Sequence, residues 1–157
     1  MKKILLSFKP FWYEKIKSGE KIFEYRKRFC DEPVMAYMYV SRPVMAVAGI
    51  IMLDRRISLE DWKIKYKDDK EIYDRVCDFS ERNNYAMPVL EFIPTSCLSL
   101  KEIQKVIPNF IAPQMYYNLE ENGELLQLLN QELVIYEEKR VNSFENNINN
   151  KICEKLT

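Results

Sequence analysis

The chain has 157 residues, 47% of them apolar and 13% aromatic, which is enough for one domain with its own hydrophobic core. It contains no histidine, and this excludes Ser-His and Cys-His nucleophile pairs, histidine-bearing zinc sites and imidazole general bases. The net charge is zero, but residues 1–30 hold nine Lys or Arg against three Asp or Glu. This imbalance indicates either a local anion-binding surface or a chance cluster of charges on solvated faces.

The cysteines and the first residues predict the compartment. The four cysteines are widely spaced and form no Cys-x-x-Cys pair, which indicates reduced thiols; a four-cysteine metal site and two disulfides are less favoured alternatives. The opening MKKILLSFKP has too short an apolar run for a signal peptide, and no segment approaches the roughly 20 apolar residues of a membrane span. We therefore expect a cytoplasmic protein with no membrane partner, no cofactor and no metal.

The first third of the chain predicts several strands around one short helix. The run Lys3–Lys9 is typical of a buried strand, and Pro10 is well placed to open a helix that Gly19 ends. Within this helix, Trp12 and Ile16 are four residues apart and form a narrow apolar stripe. Further strands are predicted over residues 20–28, 34–42 and 44–53, with a bulge or a close backbone approach at Gly49.

The rest of the chain predicts mainly helices. Ser58 with Asp61, and Ser99 with Glu102, have capping-box spacing, so each serine is expected to open a helix. A charged helix over residues 68–82, a strand over 83–100 and a late helix after a Pro-rich loop complete the elements. The Asn-rich residues 141–157 predict a helical or frayed tail beyond a domain of residues 1–140. The sum is an α+β fold whose five to six strands form a curled, partly closed barrel.

The stretch KSGEKIFEYRKR, residues 17–28, holds five Lys or Arg and two Glu. In an extended strand Glu24 and Arg26 share a face about 7 Å apart, while Lys21 lies on the other face unless a twist or bulge turns it back. One interpretation is a surface ion pair worth about 0–1 kcal/mol. The other is a cleft in which Arg26 binds a phosphate or a carbonyl and Glu24 orients it.

The stretch from Ile4 to Arg26 resembles the start of ASCH domains, which belong to the PUA-like superfamily. Those domains open with a strand ending in Lys-Pro, a short helix and then the motif Gly-x-Lys-x-x-Glu-x-Arg. The matching residues here are Lys9, Pro10, Gly19, Lys21, Glu24 and Arg26. YVSRP, residues 39–43, and APQMYYNL, residues 112–119, are looser matches, and the resemblance covers residues 3 to about 136.

The resemblance implies a PUA-like curled mixed β-barrel with flanking helices, and a cleft near the motif strand that binds RNA or a nucleotide-like ligand. Some small ASCH proteins are amidohydrolases that act on acetylated cytidine through a lysine, a threonine three residues later and a distant glutamate. Lys21 matches that lysine, but Glu24 occupies the threonine position. The nucleophile of those enzymes is therefore missing from this chain.

Three hypotheses follow. The favoured one is a binding module for RNA or a modified nucleotide, with a regulatory role in transcription or translation. Its positive groups would be Lys9, Lys21, Arg26 and Arg42, with Glu24, Ser41 and Gln114 reading the ligand and Tyr116 stacking on it. The second is a hydrolase on an acylated or otherwise modified nucleoside, with Lys21 as base and Glu24 as its partner. The third is a protein-interaction domain that docks through residues 115–157.

Overall fold

The structure, a computed structural model, describes residues 1–145 and 148–156. The strands in these ranges are β1 (Lys2–Phe8), β2 (Phe23–Arg26), β3 (Val34–Val40), β4 (Ala46–Leu53), β5 (Ile57–Ser58), β6 (Tyr85–Ile93), β7 (Leu98–Ser99), β8 (Tyr116–Asn118) and β9 (Arg140–Val141). The helices are α1 (Pro10–Ser18), α2 (Leu59–Lys65), α3 (Lys70–Ser80), α4 (Leu100–Val106) and α5 (Gly123–Glu132). None of these helices has the length and apolar character needed to cross a bilayer.

Six strands form one continuous mixed sheet in the order β2-β6-β4-β3-β1-β8, curled into a half-barrel. Strands β1 and β3 run parallel, because the connection between them is long enough to return the chain to the end of the sheet where β1 begins. This connection contains α1 and β2. The other pairings along this order are antiparallel. The short strands β5, β7 and β9 pair beside this path. The predicted α+β fold with a curled mixed sheet is therefore confirmed.

The central strands bury side chains on both faces of the sheet. Along β1, Leu6 and Phe8 belong to one core cluster, whereas Leu5 belongs to a second cluster that includes residues of α4 and α5. A strand covered on both faces needs apolar residues at successive positions, which explains the continuous apolar run. On α5, Leu125 and Leu129 are buried in the second cluster. These leucines lie within residues 115–157, the segment of the docking hypothesis, and they pack on this chain's own sheet.

Gly49 lies where β4 departs from regular pairing, as its sequence position predicted. The register between β3 and β4 shifts between Tyr37 and Tyr39, opposite this glycine. A Cβ atom at Gly49 would lie only 3.1 Å from the Phe92 ring, a contact that forces the neighbour to move. Both expected features, a bulge and a close approach, are thus present at this residue.

Several predicted element ends differ from the structure. Ser99 and Glu102 form the expected reciprocal capping box at α4, but the Ser58 side chain makes no capping hydrogen bond at α2. The prediction of a capping box at Ser58 is therefore wrong, although Ser58 is the N-cap residue. The motif strand is also shorter than residues 20–28, because β2 begins only at Phe23 and ends at Arg26.

The tail is neither an α-helix nor frayed in its described part, residues 141–145 and 148–156. These residues contain the last residue of β9 and the 3-10 turn Asn149–Lys151, while Ile152 and Cys153 are fully buried in a cluster with residues of α2, α3 and β2. The backbone N–H of Cys153 donates to the Tyr25 hydroxyl at 2.7 Å. Two buried side chains and one long-range hydrogen bond hold a segment whose composition is otherwise polar. The boundary at residue 140 stays a prediction.

Candidate functional site

A cleft of about 730 Å³ lies beside β2. One wall, called the β2 wall, is formed by the end of β1, the start of α1 and β2 itself. The other, called the α3 wall, is formed by the end of α3, the residues just after it and the tail. Its charged and polar lining residues are Ser7, Lys9, Lys21, Glu24, Arg26, Ser41, Asp78, Glu81, Arg82, Asn83, Gln114, Lys151, Glu154 and Lys155. A volume of this size is typical of sites for small molecules and cofactors.

The wall that includes β2 holds an ion-paired triad. Lys21 Nζ lies 2.8 Å from Glu24 Oε1, and Arg26 Nη2 lies 3.1 Å from Glu24 Oε2. The strand begins only after Lys21, so this residue escapes the alternation of an extended strand and reaches the same carboxylate as Arg26. The turn at Gly19, which has φ of 83°, ends α1 and brings Lys21 to this position.

Glu24 is buried, with only 4% of its surface exposed. Burial raises the pKa of its carboxyl, but the charges of Lys21 and Arg26 and their hydrogen bonds more than offset this and lower the pKa to about 2. The carboxylate also accepts the backbone N–H of Tyr25 at 3.1 Å. Glu24 is therefore an anion at neutral pH and acts as a hydrogen-bond acceptor, not as an acid. The interpretation as a surface ion pair is wrong.

Arg26 and Lys21 are held by further contacts on the cleft wall. Arg26 Nη2 also donates to the carbonyl of Ser7 at 2.8 Å, and its guanidinium carbon lies 5.4 Å from the centre of the Phe8 ring. Lys21 Nζ lies 4.5 Å from the centre of the Trp12 ring. These contacts fix both cations, as a preorganised binding site requires. The other guanidinium nitrogens of Arg26 make no hydrogen bond to the described residues and are available to a ligand.

The structure brings most of the candidate residues together. Lys9, Ser41 and Gln114 join the triad in lining the cleft, although they come from the end of β1, the turn after β3 and the loop before β8. Arg42 is exposed in the turn after β3 and does not line the cleft. Tyr116 lines a smaller neighbouring groove of about 260 Å³, where its ring lies 5.5 Å from that of Phe29.

Sequence reasoning missed one whole wall of the cleft. Phe79 at the end of α3, Arg82 just after this helix and Lys155 in the tail all line it. Trp12 also lines it, whereas the predicted stripe assigned this residue to the helix packing face together with Ile16. Only Ile16 of that pair is fully buried. The signal for Trp12 was its position two residues after the Lys-Pro pair, one turn before the buried residue.

The described residues offer no group of three or more cysteine, aspartate or glutamate side chains that could hold a metal ion. The chemistry of the cleft is instead that of fixed cations, one fixed anion and aromatic faces. Such a site can bind an anion or a carbonyl through Lys21 and Arg26, and it can accept a hydrogen bond from a ligand through Glu24. The aromatic rings of Trp12 and Phe79 add surfaces for a planar group.

Comparison with known proteins gives one consistent result. No family model matches the sequence, and no curated protein matches it significantly. Among solved structures, a serine-to-alanine mutant of ZmASCH from Zymomonas mobilis has a TM-score of 0.63 and 21% identity, covering 84% of this chain and 96% of that one. The chain has the ASCH fold.

Two further structures from Zymomonas mobilis agree with this result. A tyrosine-to-phenylalanine mutant of ZmASCH has a TM-score of 0.62 and 21% identity, covering 85% of this chain and 100% of that one. A crystal structure of ASCH has a TM-score of 0.56 and 23% identity, covering 80% of this chain and 94% of that one. The ASCH fold expected from the Gly-x-Lys-x-x-Glu-x-Arg stretch is thus confirmed, and at these identities the likeness concerns the fold.

Proposed function

We propose that this ASCH-fold protein binds RNA or a modified nucleotide in the cleft centred on Lys21, Glu24 and Arg26. The observation that carries this proposal is the buried triad. A carboxylate is held ionised between two cations on one wall of a cleft large enough for a nucleotide. The triad has a net positive charge, so it attracts an anion while Glu24 keeps the cations in place.

The chemistry around the triad suits a nucleotide better than a simple anion. Arg26 offers further N–H donors for a phosphate or a base carbonyl, and Gln114 and Ser41 offer both donors and acceptors. Trp12 and Phe79 offer aromatic faces on which a base stacks. A site built only for phosphate needs no aromatic lining. This combination therefore supports a ligand with both a charged group and a planar ring.

A hydrolytic role has less support. Glu24 stands where the related amidohydrolases have a threonine nucleophile, and it is occupied by contacts with Lys21, Arg26 and the backbone of Tyr25. Lys21, for its part, donates to Glu24 and lies over Trp12. Lys21 and Glu24, the two groups that the hydrolase hypothesis needs, are thus paired with each other, which supports binding over hydrolysis.

Titration of a fluorescein-labelled, random-sequence, single-stranded oligoribonucleotide, followed by anisotropy at two ionic strengths, tests this proposal. A competition panel of unlabelled nucleotides with modified bases identifies the preferred ligand. We expect Arg26→Gln to weaken binding about tenfold or more, because it removes charged hydrogen bonds to the ligand. Affinity should also fall as salt rises, since phosphate contacts release counterions.

Arg55→Gln is the matched control, because Arg55 is an exposed arginine with 62% of its side chain accessible and lies outside the cleft. It should leave binding unchanged. Binding that is equally tight in the wild type and in Arg26→Gln, or that does not respond to salt, would show that the triad is not the ligand site.

A further inference from the structure

The tail forms part of the cleft and is firmly anchored there. Residues 151 and 154–156 line the cleft, on either side of two fully buried residues, Ile152 and Cys153. The guanidinium of Arg75 on α3 donates to the carbonyls of Ile152 and Asn149, at 3.1 and 2.6 Å. The Tyr25 hydroxyl, on the motif strand itself, accepts from the Cys153 backbone. The tail is thereby positioned against both β2 and α3.

Lys155 is the tail residue whose charge is most accessible. Its Nζ lies 2.6 Å from a carboxylate oxygen of Asp78, the first α3 residue that lines the cleft. About half of each side chain is exposed, 58% for Lys155 and 53% for Asp78. An ion pair in such contact with water is weak and breaks readily. Lys151 differs, because its Nζ donates to the backbone carbonyl of Glu20 at 3.0 Å.

We propose that Lys155 is a further ligand-binding cation of the cleft. In the free protein Lys155 is paired with Asp78, and a phosphate group of the ligand replaces Asp78 in this contact. This inference rests on the proposed nucleotide-binding function and adds that the ligand carries a phosphate reaching the α3 wall. The site would then bind its ligand from two sides: the fixed triad on the β2 wall and an exchangeable lysine on the tail.

The charges of the α3 wall support this exchange. The α3 wall carries three carboxylates, Asp78, Glu81 and Glu154, against three cations, Arg82, Lys151 and Lys155, so it has no net positive charge. A phosphate that approaches this wall gains one more close cation when Lys155 turns from Asp78 toward it. Lys155 needs only to leave Asp78, whereas Lys21 is 10% exposed and ion-paired with a buried carboxylate. The exchangeable cation therefore belongs to the α3 wall and the fixed cations to the β2 wall.

Two substitutions separate this role from a structural one. Lys155→Gln removes the cation, and we expect it to weaken binding of the labelled oligoribonucleotide and to reduce the slope of log affinity against log salt by about 0.7, the value of one phosphate contact to a single strand. Asp78→Asn removes the competitor while keeping the side chain's size, and we expect it to strengthen binding. The double variant should bind like Lys155→Gln alone.

The control is Lys70→Gln, which breaks an exposed ion pair with Asp74 on the first turns of the same helix. It should leave affinity and salt slope unchanged. If Lys155 only stabilises the tail, Asp78→Asn and Lys155→Gln should change affinity in the same direction, or not at all, and the proposal is then wrong. Thermal unfolding of each variant verifies that it is folded. If the wild type binds no nucleotide, the proposed function itself fails; if it binds but the two variants do not diverge, only the exchange fails.

Discussion

The two walls of the cleft hold their charges in opposite ways. On the β2 wall, the side chains of Lys21, Glu24 and Arg26 are 10%, 5% and 23% exposed and are joined in one network. On the α3 wall, Lys155 and Asp78 are more than half exposed and contact only each other among the described ion pairs. Buried charges must stay paired, whereas exposed charges exchange partners at little cost. The first wall therefore provides fixed geometry and the second provides adaptability.

Of the changes that test this contrast, removing the carboxylate of the triad should produce the largest loss of stability. We expect Glu24→Ala to destabilise the protein by about 3 to 5 kcal/mol, because it leaves two largely buried cations without their partner. Urea unfolding followed by circular dichroism measures the change. Asp74→Ala, which breaks an exposed pair on α3, is the control and should have little effect. If the free energy of unfolding of Glu24→Ala lies within about 1 kcal/mol of the wild-type value, the charges of the two walls do not differ in their contribution to stability.

Low pH should remove a similar amount of the stability that the triad on the β2 wall provides. The pKa of Glu24 is about 2 in the folded protein, below its ordinary value of 4.5, so its stabilising contribution is complete above about pH 4.5 and is lost as pH falls toward 2. A shift of this size corresponds to a contribution on the order of 3 kcal/mol. Unfolding of the wild type and of Glu24→Gln, compared between pH 6 and pH 2, should show a stability difference that shrinks in acid. A difference that stays constant with pH would contradict the pairing of Glu24.

The hydroxyl of Tyr25 links the two walls, and its loss should reduce stability by an intermediate amount. Tyr25→Phe leaves the N–H of the fully buried Cys153 without an acceptor, which should cost about 1 to 3 kcal/mol. Hydrogen exchange should become faster in residues 148–156, while the exchange of β1 and β3 is unchanged. Tyr117→Phe, which removes an exposed hydrogen bond to Ile111, is the control. Equal exchange in the tail of Tyr25→Phe and the wild type would show that the tail is held independently of the motif strand.

The smallest effect is expected on the α3 wall. Asp78→Asn should change the free energy of unfolding by no more than about 0–1 kcal/mol, because the pair it breaks is half exposed. Chemical unfolding at low and high salt gives the comparison with the Glu24 variants. A loss approaching that of Glu24→Ala would mean that Asp78 is structural and that the walls are alike.

The same contrast explains what could be predicted from the sequence. The β2 wall is encoded locally, since Gly19 ends a helix and the next seven residues carry all three charges of the triad. The burial of Glu24 could not be predicted, because it depends on chain segments far from residues 17–28. The tail was predicted as helical or frayed because its composition is polar, and two buried residues without periodicity give no sequence signal.

Arg42 and Tyr116 show a second limit of sequence reasoning. Both lie beside segments that contribute cleft residues, Ser41 and Gln114 respectively, but a turn or a strand places neighbouring side chains in different directions. Residue type and proximity in sequence therefore selected the right segments without selecting the right side chains. Their roles in binding stay predictions.

The hydrogen bond between Tyr25 and Cys153 joins residues 128 positions apart, and Lys151 reaches Glu20 across 131. Contacts of such separation close long loops, whose entropic cost delays them relative to local structure. During synthesis, the motif strand leaves the ribosome well before the segment that completes its opposite wall. We therefore expect a nascent chain to display the Lys-Glu-Arg sequence long before it possesses a two-walled cleft.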